Sequence, residues 1–138
     1  MDASERYEQL IAFLSTHLPP PVEQSEETNG IMVFRGGSPV EVIATLTHTS
    51  VIVDEYAVRW ETPTSPVDRP RRVGALNWRR LPESTLMNVV GQLIKGAREM
   101  RRSRYRACRF CGRTNPPEWL HSDEVCQGCA EAEMGAVH

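Results

Sequence analysis

The chain has 138 residues, of which 40% are apolar and 25% charged, and its formal net charge is −2. That is enough for one ordinary domain, or for a small domain with an appended module, and it holds no uninterrupted apolar run of the roughly 18 residues that a membrane-spanning helix needs. The acidic start, Met1-Asp2-Ala3-Ser4-Glu5, is unlike a secretory leader, so a cytoplasmic protein with reduced thiols and no membrane partner is expected.

Residues 4–18 predict an amphipathic helix. Ser4 is placed to cap it, Glu5 and Glu8 lie where the helix dipole favours anions, and Tyr7, Leu10, Ile11, Leu14 and Leu18 recur at three- and four-residue steps. Pro19-Pro20-Pro21 ends it, and the acidic, polar residues 22–29 read as a loop. From Ile31 the period becomes that of strands. Ile31–Phe34 is a first strand and Gly36-Gly37-Ser38-Pro39 a turn. From Val40, apolar Val42, Ala44 and Leu46 alternate with Glu41, Thr45 and Thr47, with Ile43 out of phase. Val51–Trp60, rich in β-branched and aromatic residues, is a third strand after a turn at Thr49-Ser50. Strands so closely spaced pair as an antiparallel meander.

Residues 61–72 are Pro-rich and read as a loop, and 73–80 allow either a fourth strand or an irregular segment. A long helix then covers about 83–105, with a seam of Leu86, Val90, Leu93, Ala97 and Met100, broadened by Val89 and Ile94. It closes on Arg101-Arg102-Ser103-Arg104-Tyr105-Arg106, cations that suit a helix C-terminus. The fold class is therefore α+β: an N-terminal helix, a three- or four-stranded antiparallel meander and a long amphipathic helix over 1–106, then a small four-cysteine zinc module over 107–138.

All four cysteines lie in that last part, as Cys108-Arg109-Phe110-Cys111-Gly112 and Cys126-Gln127-Gly128-Cys129. Each C-x-x-C pair offers two sulfurs from one tight turn, and the intervening loop brings the pairs together. That suits four-thiolate, tetrahedral coordination of one structural zinc by Cys108, Cys111, Cys126 and Cys129, with iron as the other ion that accepts such a set. Gly112 permits a knuckle turn that points amides at sulfur, and the second pair opens a short helix over Ala130–Met134 that ends at Gly135. Knuckle, loop or hairpin, and ligand-bearing helix make residues 108–135 similar to treble-clef and zinc-ribbon modules. Alanine after Cys129, where a ribbon prefers glycine, favours the treble clef. His121 reads as a loop histidine near the site, and His17, His48 and His138 show no ligand spacing.

Catalytic motifs are lacking. Asp54 and Glu55 are adjacent on a strand and so point to opposite faces, and with Ser38, Ser50 and His48 they read as solvated surface. The charge is segregated. Residues 1–68 hold eleven acids and three arginines, 69–113 hold twelve arginines and Lys95 against Glu83 and Glu99, and 114–138 hold five acids and no Lys or Arg. Arg101, Arg102, Arg104, Tyr105, Arg106, Arg109, Phe110 and Arg113 thus form a basic, aromatic stretch entering the knuckle. It would serve a protein partner in an adaptor or, alternatively, phosphates and stacked bases of a nucleic acid. A small enzyme is the remote third reading. Because the sheet and the first helix are expected to cover the long helix's seam, a monomer is favoured over a homodimer.

Overall fold

The computed structural model describes residues 3–62, 65–122 and 125–134. Helix α1, Ala3–His17, leads into strands β1, Val22–Glu26, β2, Met32–Gly37, β3, Val40–Leu46, and β4, Ser50–Glu55. Strands β5, Val58–Thr62, and β6, Ser65–Asp68, precede β7, Arg71–Asn77, and the long helix α2, Glu83–Ser103. The main sheet has five strands in the order β1-β2-β3-β4-β7, with every neighbouring pair antiparallel.

The α+β architecture is as the sequence implied, but the meander is longer than the expected three or four strands. β1 occupies part of the supposed 22–29 loop. It is an edge strand with four exposed residues out of five, so it carries no apolar alternation to betray it. Residues 71–77 are a strand and complete the opposite edge. The expected strand 51–60 breaks at Tyr56-Ala57. There the Tyr56 amide turns back to donate to the Glu41 carbonyl at 3.0 Å, and the chain leaves the sheet as the β5–β6 hairpin. Pro66 sits within that hairpin, opposite Trp60, and not in the loop read from the Pro-rich composition; Pro63 and Thr64 lie outside the described residues.

Both helices pack on one face of the sheet. Leu10, Leu14 and Leu18 of α1 and its end meet Phe34, Val42, Ala44, Leu46, Val51 and Val53 of the strands and Leu86, Val90, Ile94 and Ala97 of α2. Trp78, only 1% exposed, closes the core and donates its indole N–H to the Thr47 carbonyl at 3.0 Å, which satisfies the one polar atom it buries. The buried seam of α2 is Leu86, Val90, Ile94, Ala97 and Arg101. The expected seam kept a strict seven-residue repeat, the signature of a coiled coil. A straight helix laid on a sheet drifts away from that repeat, so Ile94, expected only to broaden the seam, takes its buried place ahead of Leu93, and Arg101 replaces Met100. Leu93 is half-buried over Gly74 of β7, and Met100 is exposed.

The drift has a consequence for the rest of the chain. It turns a guanidinium, Arg101, into the last core position of α2, where a hydrophobic residue would ordinarily sit. The chain beyond α2 supplies what that charge needs.

Candidate metal centre

After α2 the chain forms β8, Arg106–Ala107, and β9, Thr114–Asn115, paired antiparallel with Ala107 opposite Thr114. The first cysteine pair sits in the turn between them. The Cys108 amide donates to the Arg113 carbonyl and the Gly112 amide to the Cys108 carbonyl, each at 2.8 Å. Gly112 has φ 74°, a left-handed conformation that side chains rarely adopt, while a Cβ there would meet nothing within 4 Å. The glycine is thus required by backbone conformation and not by space. A short 3-10 turn, Pro117–Trp119, leads to a hairpin of β10, Leu120–Ser122, and β11, Val125–Cys126, and then to helix α3, Gln127–Met134. Cys126 ends β11 and Cys129 stands in the first turn of α3, as the spacing implied; Gly135, the expected helix end, lies outside the described residues.

These elements bring all four sulfurs within 4.8 Å of one another. The Sγ atoms of Cys111 and Cys126 are 3.9 Å apart. Four sulfurs in a tetrahedron around an ion at about 2.3 Å are separated by about 3.8 Å, whereas a disulfide needs about 2.05 Å. All four cysteines are free, so the set fits a metal ion and not two bridges. The environment also favours thiolate at one of them. The Cys108 thiol is pushed down to about 6, first by the backbone amide of Cys111 and then by that of Cys126. Cys129 is pushed up to about 12, first by its hydrogen bond with Cys126 and then by burial. A divalent ion among the four sulfurs would supply positive charge that favours thiolate at each of them.

Cys108 is buried and Cys111 is exposed, with Cys126 and Cys129 between these extremes. A groove of about 580 Å³ opens beside Cys111, Cys126 and Cys129, with Arg113 and Trp119 on its walls. Trp119 is 50% exposed and Phe110 46%. The sequence reading included Phe110 and overlooked Trp119. The available signal was a tryptophan in a short, proline-bounded turn between two ligand pairs, where no core can bury it.

The basic stretch is dispersed by the fold. Arg101 is 1% exposed, donates Nε to the Val40 carbonyl at 3.2 Å, and engages both oxygens of Glu118 through its two terminal nitrogens. Its guanidinium also lies 5.0 Å from the Tyr56 ring centre and 5.1 Å from that of Tyr105. Arg102 and Arg98 both bond to Glu41. Arg104 makes two bonds to Glu55, at 2.8 and 3.0 Å. Arg106 donates to the carbonyls of Ser103 and Tyr105, and Arg109 lies 5.0 Å over Phe110. Tyr105 is half-buried, with its hydroxyl out of solvent and burial pushing its pKa up. Arg106, Arg109, Phe110 and Arg113 remain on the surface of the knuckle.

Glu55 therefore corrects the reading of Asp54 and Glu55 as solvated surface. It follows Val51 and Val53 on the core face of β4 and is fully buried, and Arg104 reaches it from the end of α2. Glu41, 6% exposed, is likewise enclosed. Neither acid stands out in the sequence, because a buried carboxylate is chosen by the cation that reaches it from a distant element. Ring contacts also place two of the histidines. His17 stacks on Phe13 at 3.9 Å and His48 on Tyr7 at 6.4 Å. The His121 side chain and His138 lie outside the described residues.

No protein-family model matches the chain, nor does any curated protein or solved structure. Among the described residues, no helix is long and apolar enough to cross a membrane.

Proposed function

We propose that this chain is a non-catalytic interaction module, an adaptor whose C-terminal segment is held in shape by one structural zinc ion. The reading divides it into a sheet domain, residues 1–106, and a four-cysteine module of the treble-clef kind, residues 107–138. Zinc is favoured over iron because the reading requires no redox chemistry and a closed four-thiolate set suits a structural ion. Reduced thiols suit a cytoplasmic setting. With the α2 seam spent on the sheet and α1, a monomer is the expected state in solution.

The observation that carries the interaction reading is the contrast between the arginines and the aromatics. Glu41, Glu55 and Glu118 take up Arg98, Arg101, Arg102 and Arg104 within the chain, whereas Phe110 and Trp119 stay exposed beside the cysteines. Exposed aromatic rings on a rigid scaffold are the usual anchors of protein recognition. The test uses the full chain as bait in extract of its host. A partner that cross-links to wild type and is lost from Trp119→Ala, at unchanged zinc content and melting temperature, supports the reading. A partner retained by both Trp119→Ala and Phe110→Ala contradicts it.

Nucleic acid is the second reading, favoured by the exposure of Arg106, Arg109, Phe110 and Arg113 and by Arg109 lying over the Phe110 ring. It predicts binding to a random single strand with log K falling by about 0.7 per phosphate contacted per decade of salt. Absence of binding at low salt eliminates it.

A further inference from the structure

Three acidic residues serve the arginines at the end of α2, and they come from different parts of the chain. Glu41 lies on β3 and Glu55 on β4, so Arg98, Arg102 and Arg104 draw their partners from the sheet itself. Arg101 alone among them takes its carboxylate from beyond α2. Glu118 belongs to the short turn between the two cysteine pairs. The remainder of the Arg101 pocket, namely the Val40 carbonyl and the rings of Tyr56 and Tyr105, lies outside the cysteine-bearing segment.

The segment that delivers Glu118 has little else to order it. Its buried apolar side chains beyond Cys108 are Pro116, Val125 and Ala130 among the described residues, far too few for a core. A segment of this kind owes its fold to the ion its ligands share. Loss of that ion removes Glu118 and leaves a guanidinium enclosed by two aromatic rings with no counter-charge. Uncovered in this way, its planar fork of donors suits another carboxylate in the place of Glu118.

We infer that Arg101 and Glu118 form a latch, through which occupancy of the cysteine centre decides whether a cationic pocket on the sheet domain is closed by Glu118 or open to a carboxylate from elsewhere. The inference rests on the reading of the four cysteines as a metal centre. It adds to that reading a second binding site, masked in cis, and a coupling between the two parts of the chain.

The experiment compares arginine labelling by p-hydroxyphenylglyoxal in full-length protein, zinc-loaded and zinc-stripped under reductant, with mass spectrometry resolving each site. Exposed Arg80 is the internal reference. Arg101 is expected to react about tenfold faster once zinc is removed, a change within the usual range of coupling between sites, while Arg102 and Arg104 change little. Acetate in place of chloride at equal ionic strength should then slow Arg101 in the stripped protein, and no difference overturns the carboxylate assignment. Because stripping can loosen the sheet as well, Glu118→Gln is examined in zinc-loaded form. It should expose Arg101 by itself and weaken zinc by about 5- to 150-fold. Zinc uptake by wild type with Arg101 equally protected in both forms, or unchanged zinc affinity in Glu118→Gln, overturns the latch alone. A wild-type chain that takes up no zinc overturns the metal reading together with it.

Discussion

The carboxylate of Glu118 closes over the guanidinium of Arg101, joining the turn between the cysteine pairs to the last buried position of α2. The pair is enclosed on both sides, with Arg101 1% and Glu118 12% exposed at their side chains. Removing one partner from such a pair strands the other charge in a poorly solvated place, and that asymmetry sets the order of effects among the arginines.

Arg101→Ala should therefore destabilise the chain by about 3 to 5 kcal/mol, the range for one half of a buried ion pair. Arg104 is 41% exposed although its partner Glu55 is fully buried, so solvent offsets part of the loss and Arg104→Ala should cost about 1 to 3 kcal/mol. Arg113→Ala, on the exposed knuckle surface, should stay within about 0.5 kcal/mol. Urea unfolding of the three variants checks the order, and equal effects at Arg101 and Arg113 would contradict it.

The end of α1 is held tightly against β2. A Cβ at Gly36 would lie 2.9 Å from the Pro19 carbonyl oxygen and 3.0 Å from the Leu18 Cβ. The nearest obstacle is backbone, which cannot rotate away as a side-chain tip can. Gly36→Ala should lower stability by about 1 to 3 kcal/mol, the usual cost of overpacking. Gly96→Ala, where a Cβ meets nothing within 4 Å, should be neutral or stabilise the helix by up to about 1 kcal/mol. Thermal midpoints of the two variants, moving in opposite directions or with Gly96→Ala unchanged, are the expected result.

Tyr56 gives the chain an alkaline limit. Burial pushes its hydroxyl up to about 12, and the hydrogen bond it donates to Asp68 at 2.7 Å adds to the shift. A group whose pKa is raised on folding contributes stability that is complete below its unfolded value, about 10 for tyrosine, and is lost as pH rises through the folded value. Stability should fall between pH 10 and 12 for this reason, and Tyr56→Phe should flatten the fall. Denaturation midpoints across that range decide the matter, and an equal fall in Tyr56→Phe would contradict the assignment.

What could be read from the sequence was whatever repeats along the chain or is fixed by close spacing. The apolar stripe of α1, the alternation in β3 and the C-x-x-C pairs each announce themselves within a few residues. β1 did not, because an exposed edge strand such as Val22–Glu26 needs only hydrogen bonds to β2 and no apolar face. The β5–β6 hairpin was hidden by its prolines. The arginines were misplaced for a different reason. Arg101, Arg102 and Arg104 are neighbours in sequence, but successive residues of a helix point in different directions. The acids that meet them lie 17, 61 and 49 positions away. Long-range charge pairing of that sort leaves no local mark. Trp119 and Glu118, side by side in one short turn, show the same limit. One is exposed beside the cysteines and the other is held against the end of α2.

Zinc content and thiol reactivity together report on the metal centre. Protein purified under reductant should carry one zinc per chain, and Cys108, Cys111, Cys126 and Cys129 should resist iodoacetamide until a chelator removes the ion, after which all four should alkylate. Metal-free protein whose four cysteines react at once, or protein in which they are joined as disulfides, would contradict the account.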